Sequence, residues 1–246
     1  FWDKSDKWLT IGDGRFGAES NWLKNKGVKS HASDMNIDFL ELALEKGYID
    51  SYSKENAEKL SFESNSFDYV LIKETFHHLP RPWLALYEAF RVCRKAVIVI
   101  EPNDPYINVN FFSKIFLLLK NFIKLLLKKR IFKDEYNFEE VGNFIYSINF
   151  REFEKFLLGM HKNSIGFFNV NDHYINNIEN IPQKPNTFKE KLICIRLKTI
   201  IILKNLLSKF GIIKYSIGEV ILFKNSPGIE TIEKMRKSNW QYKELP

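Results

Sequence analysis

"LTIGDGRFGAES", Leu9 to Ser20, runs from an apolar stretch through three glycines into a helix-forming segment. That order reads as a strand, a tight loop and a helix N-terminus. Glycines at the end of a strand let a ligand approach the backbone, and the first turn of the following helix offers unpaired N–H groups. The spacing Gly12-x-Gly14-x-x-Gly17 also matches the dinucleotide fingerprint, which on its own is a weak signal.

Outward from this loop the first hundred residues alternate strand and helix signals. "KWLTIG" is a strand, with a helix from about Ala18 to Lys26. "VKSHASD" is a second strand, and "NIDFLELALEKG" a helix stopped by Gly47. "YIDSYSK", "SFDYVLIKE" and "KAVIVIEPNDP" supply strands three to five, with the helix "RPWLALYEAFRVC" before the last. Such alternation builds a mostly parallel sheet covered on both faces, and ligands of such sheets bind beyond the carboxyl ends of the strands. Asp34 ends strand two, 20 residues after Gly14. A carboxylate there accepts from both ribose hydroxyls, or else caps the next helix. Met35 beside it suits a purine face.

The segment "ENAEKLSFESNSFDYVLIKETFHHL", Glu55 to Leu79, is more specific than the glycines. It resembles the class I S-adenosylmethionine-dependent methyltransferases, in the branch acting on small molecules and lipids. The resemblance covers Trp8 to Asn103. It implies a Rossmann-like, doubly wound α/β fold with seven strands, mostly parallel, and helical insertions after strands five and six. It also implies S-adenosylmethionine as cofactor. Gly12, Asp13 and Gly14 would lie along its methionine part, and Lys73 would fall near that end. Asp34 would take the ribose, Met35 would flank the adenine, and Asn56 and Ala57 would meet the adenine edge. The chain departs from the pattern in having Thr10 where the family has an acid, and in a loop one residue longer, with Arg15 and Phe16 before the last glycine.

His77 and His78 follow strand four and are the candidate catalytic bases for an acceptor that must lose a proton. Glu74, Thr75, Glu101 and Asn103 share that sheet edge, and Glu74, Glu101, Asn103 and the later His173 are the candidate substrate contacts. Paired histidines also serve as packing or capping residues. The implied activity is methyl transfer to a small or lipid-linked acceptor. The first choice is an oxygen of a sugar or cell-surface glycan precursor, and the second a carbon of an isoprenoid or quinone precursor. Two rival classes remain open. A nicotinamide-dependent oxidoreductase would explain the literal glycine fingerprint, but no Tyr-x-x-x-Lys pair follows strand four. A degenerate, methyltransferase-like partner subunit would explain Thr10 and the longer loop.

The 246 residues fit one domain, 1–246, with a cofactor-binding half (1–104) and a substrate-covering half (105–246). The net charge of +7 is uneven: residues 1–101 carry −2 and the rest +9. Such a half meets an anionic substrate or surface, or simply carries solvated lysines. Within it, "FFSKIFLLLKNFIKLLLKKRIFK", Phe111 to Lys133, is a basic amphipathic helix candidate that either lies on an anionic membrane or caps the sheet. The basic residues interleave with Leu and Ile rather than with a recognition motif, which argues against nucleic acid. Cys93 and Cys194 form no metal-ligand spacing and no disulfide framework, so no metal site and a reducing, cytoplasmic compartment are expected, with membrane association following only if the 111–133 helix lies on a membrane. The sequence leaves the oligomeric state open.

Overall fold

The computed structural model describes residues 2–104, 115, 118–119, 122–123, 125–126, 138, 144–173, 175 and 185–246. The order of elements follows the alternation read above. Strands β1 (Lys7–Ile11), β2 (Lys29–Asp34), β3 (Tyr52–Lys54), β4 (Phe67–Lys73) and β5 (Cys93–Pro102) interleave with α1 (Ala18–Asn25), α2 (Asp38–Glu45) and α3 (Pro82–Val92). Then come α4 (Phe150–Gly159), β6 (Ser164–Val170), α5 (Phe188–Lys209), β7 (Ile217–Phe223), α6 (Ile229–Lys237) and β8 (Gln241–Glu244).

The strands form one sheet in the order β3-β2-β1-β4-β5-β7-β6-β8. β1 pairs in parallel with β2 and β4, β2 with β3, and β4 with β5. The sheet has eight strands rather than the expected seven, because β8 pairs antiparallel with β6 from Ser164↔Glu244 to Phe167↔Gln241. "QYKE" is too short and too polar to announce a strand. α6 was equally silent in the sequence, since only Met235 of its nine residues is buried.

Successive strand residues face opposite sides, and the core follows that period. Leu9, Ile11, Val70, Ile72, Val97 and Val99 pack on one face against Leu86, Phe90, Phe153 and Leu157 of α3 and α4. Trp8, Tyr69, Leu71, Ala96 and Ile98 point the other way, toward Leu23 of α1 and Met235 of α6. The strand order reverses between β1 and β4, so the loops leaving these neighbours diverge and open a crevice at their carboxyl ends.

The chain divides into two compact units. Phe1–Pro102, Tyr136–Phe168 and Gly218–Pro246 form the first, and Asn103–Glu135 with Asn169–Ile217 the second. The first carries nearly all of the sheet. The second carries α5, which starts at a capping box: Thr187 Oγ1 accepts from the Glu190 N–H, and Glu190 reaches back to the Thr187 N–H. Most of the expected 111–133 helix lies outside the described residues. Its described members, among them Leu118, Phe122 and Leu126, are helical and exposed.

Candidate active site

Two neighbouring cavities of the first unit sit over the carboxyl ends of β1, β2 and β4. The smaller, about 270 Å³, is lined by Ile11, Gly12, Asp34, Met35, Asn56 and Ala57, among others. The larger, about 610 Å³, is lined by Gly12, Gly14, Glu19, Asp34, Lys73, Glu74, His77 and His78, among others. Gly12, Asp34 and Thr75 belong to both walls and mark the junction.

The glycine loop is shaped by what presses on it. Gly12 has φ +77°, and a Cβ there would fall 2.2 Å from the Thr75 side chain. A Cβ on Gly14 would fall 2.7 Å from the Asp34 carboxylate, so the missing side chain lets that carboxylate lie across the loop. The extra loop residue is accommodated by two successive left-handed positions, Phe16 (φ 56°) and Gly17 (φ 61°). Phe16 then packs on Phe39 with ring centroids 4.7 Å apart.

Asp13 does not face either cavity, contrary to the expectation of a cofactor contact. It is buried, and its carboxylate accepts from Thr10 Oγ1 at 2.8 Å and from the N–H groups of Glu19 and Ser20 at 3.1 and 2.9 Å. It therefore satisfies the first turn of α1 from inside, where Gly17 offers no side chain to do so. Thr10, the departure from the family pattern, is half of this arrangement. Burial, and then the neighbouring Glu19, pushes the Asp13 carboxyl up to about 7. Asp13 is thus protonated in the folded chain over a range where it is ionised in the unfolded one. Its contribution to stability is full below the ordinary carboxylate range and is lost as pH rises toward about 7. Melting curves of the native chain and Asp13→Asn, compared between pH 5 and 8, should show this loss only in the native chain.

Glu19 takes the cavity-facing position instead. Burial opposes its charge, but contact with Asp13 and the nearby Lys73 hold it below the usual carboxylate range. Lys73 Nζ lies 3.0 Å from Glu19 and 3.6 Å from Glu74. Burial disfavours the ammonium, and the two carboxylates more than offset this, keeping it above the ordinary lysine range. Glu74 closes β4 with φ 49°.

The smaller cavity depends on the 55–66 loop, which is clamped by charged side chains. Glu55 accepts from the N–H and hydroxyl of Ser61, and Glu58 binds the backbone and guanidinium of Arg81. Arg91 donates to the carbonyls of Leu60 and Phe62 and to Glu88, which itself accepts from the Leu60 N–H. Asn56 Oδ1 accepts from the Glu58 N–H at 2.9 Å, which leaves its other lone pair for a ligand. Met35 is 61% exposed at the rim. Arg91→Ala strands two backbone carbonyls and should cost about 1–2 kcal/mol in denaturant unfolding.

At the larger cavity, His77 sits in a short 3-10 turn, Phe76–His78, anchored by the buried Phe76 against Trp83 and Phe153. Glu101 at the end of β5 is 0% exposed. Its Oε1 accepts from the N–H groups of Thr75 and Phe76 at 2.8 and 2.7 Å, and Oε2 binds His77 Nδ1 at 2.5 Å. Contrary to the expectation of a substrate contact, Glu101 is fully buried and both of its carboxylate oxygens are bonded within the protein. It is a positioning residue for the His77 ring. In the neutral ring, an Nδ1–H committed to this carboxylate leaves the lone pair on Nε2. His78 lies beside His77, ring centroids 3.9 Å apart and the planes tilted by 42°. Asn103 and His173 belong to the second unit, where Asn103 Nδ2 donates to Asn169 Oδ1 and the Tyr215 carbonyl. Thr75, which the sequence marked only as an edge residue, proves to be the side chain packed on Gly12.

Sheet order, crevice and glycine cradle together define a class I methyltransferase fold. Residues 9–100 match the family model described as a methyltransferase domain. A demethylmenaquinone methyltransferase of Staphylococcus aureus (strain MRSA252) is 32% identical over 124 residues, covering 47% of this chain and 51% of that protein. The chain thus spans about half the length of the curated relatives it matches. Among solved structures, an S-adenosylmethionine-dependent methyltransferase of Methanosarcina mazei superposes with TM-score 0.52 at 18% identity, over 92% of this chain and 95% of that one. Haemonchus contortus phosphoethanolamine N-methyltransferase 2, solved with S-adenosyl-L-methionine, gives TM-score 0.53 at 15% identity, over 92% and 50%.

Proposed function

We propose that this chain transfers a methyl group from S-adenosylmethionine to a small or lipid-linked acceptor that gives up a proton. The observation that carries the reading is the junction of the two cavities at Gly12, Asp34 and Thr75, with His77 Nε2 left free to accept on the larger side. The cradle fits the cofactor. A side chain at Gly14 would displace the carboxylate meant for the ribose. Met35, Asn56 and Ala57 would hold the adenine. Gly12, Gly14 and Glu19 would hold the methionine end, with the Glu19 carboxylate facing its ammonium and Lys73 fixing Glu19.

When bound, S-adenosylmethionine supplies an electrophilic methyl carbon on a sulfonium. The chain's own part is orientation, water exclusion and proton removal. His77 Nε2 takes the acceptor's proton, and Glu101 holds Nδ1–H and stabilises the imidazolium that forms. A base of this kind suits a hydroxyl acceptor, with an oxygen of a sugar or glycan precursor first. A second reading, carbon methylation of a quinone precursor, is supported by the name of the Staphylococcus aureus relatives.

Cofactor carrying a trideuterated methyl group, incubated with the protein and fractionated cell extracts, tests both. Mass spectrometry should find the label on one acceptor, on oxygen for the first reading and on carbon for the second. Label found on no acceptor, in the presence of bound cofactor, points instead to the partner-subunit class. Peripheral contact with an anionic membrane, expected from the 111–133 segment, also belongs to this reading.

A further inference from the structure

α5 has two apolar faces, and only one of them is used inside the protein. Half-buried Ile193, Leu197 and Ile201 lie on the inner face, where Ser208 is buried and accepts from Asn171. Lys204 on the same side donates to the Asp172 carbonyl at 2.7 Å. About 180° around the helix lie Leu192, Ile195, Ile202, Leu203, Leu206 and Phe210, all exposed. Together they fall within a sector of about 100° and run the length of the helix.

Charge brackets this outer stripe. Lys191, Lys198 and Lys209 border one side and Lys189 and Arg196 the other, all five exposed. The single acid of the helix, Glu190, is held in the capping box. An apolar stripe set between two basic margins matches a surface that is apolar within and anionic above. Lysine and arginine stems can lie along the stripe while their charges reach phosphates. The described apolar residues Ile115, Leu118, Leu119, Phe122, Ile123 and Leu126 of the same unit are exposed as well. Among the described residues no helix is long and apolar enough to cross a membrane, so α5 would lie on a bilayer rather than span it.

We propose that the outer stripe of α5 docks the protein on an anionic lipid surface. The proposal is independent of the methyl-transfer reading. Co-sedimentation with phosphatidylcholine vesicles, with and without phosphatidylglycerol, tests it. The protein should pellet with the anionic vesicles, bind phosphatidylcholine alone at least about tenfold more weakly, and release as salt rises. Leu203→Glu/Leu206→Glu should abolish pelleting while the melting temperature and S-adenosylhomocysteine binding stay unchanged. Lys191→Glu/Lys198→Glu should weaken pelleting and flatten its salt dependence. Absence of vesicle binding by the native chain overturns the proposal. So does a native dimer that Leu203→Glu/Leu206→Glu dissociates, which assigns the stripe to a second copy. A loss of melting temperature in that variant overturns it too, by assigning the stripe to internal packing.

Discussion

His77→Ala lowers kcat by about 10²–10⁴-fold, the usual scale for a positioned general base, and leaves S-adenosylhomocysteine affinity unchanged. The split follows from placement. His77 sits in the larger cavity and not in the smaller one that suits the nucleoside. Glu101→Gln sharpens the result. Its amide oxygen can still accept from the Thr75 and Phe76 N–H groups, so the turn persists. Its NH₂ then faces His77 Nδ1, which turns the ring into the tautomer with a proton on Nε2. The lone pair leaves the cavity, and the rate should fall toward that of His77→Ala with little change in melting temperature. Full turnover in His77→Ala would make the pair a structural clasp for the loop after β4.

Asp34→Ala weakens S-adenosylhomocysteine binding by about 1.5–3 kcal/mol, the range for charge-assisted hydrogen bonds. That is roughly 10- to 150-fold in Kd. Asp34 stands at the end of β2, lines both cavities, and lies against Gly14 with one oxygen accepting from the Asn36 N–H at 2.8 Å. One oxygen of the carboxylate thus remains for a ribose hydroxyl. Gly14→Ala should produce a related loss by driving the carboxylate off the loop. An Asp34→Ala chain that binds normally would leave Asp34 as the cap of the turn into α2.

Much of this is legible in the amino-acid sequence. The apolar strands and their glycine stops carry the parallel half of the sheet, because buried parallel strands and helix C-termini have strong local signatures. Gly12, Gly14, Asp34, Met35, Asn56 and Ala57 line the cavities because they follow strand ends, and strand ends can be read from one sequence. What stayed hidden depends on where a side chain turns. Asp13 and Glu19 are both acids near one loop, and only tertiary packing sends the first inward and the second outward. Glu101 reads as a polar group at a sheet edge, whereas its two oxygens are consumed by the neighbouring loop. α6 and β8 are short and polar, so they form by pairing and docking rather than by pattern. The outer stripe of α5 was masked by the apolar inner face, which blurs the amphipathic period.

Isothermal calorimetry of the native chain with S-adenosylhomocysteine and with NAD measures the central claim most directly. The account predicts saturable heat with the sulfur nucleoside, one site per chain, and none with NAD. Heat with NAD alone, or with neither ligand, would contradict it.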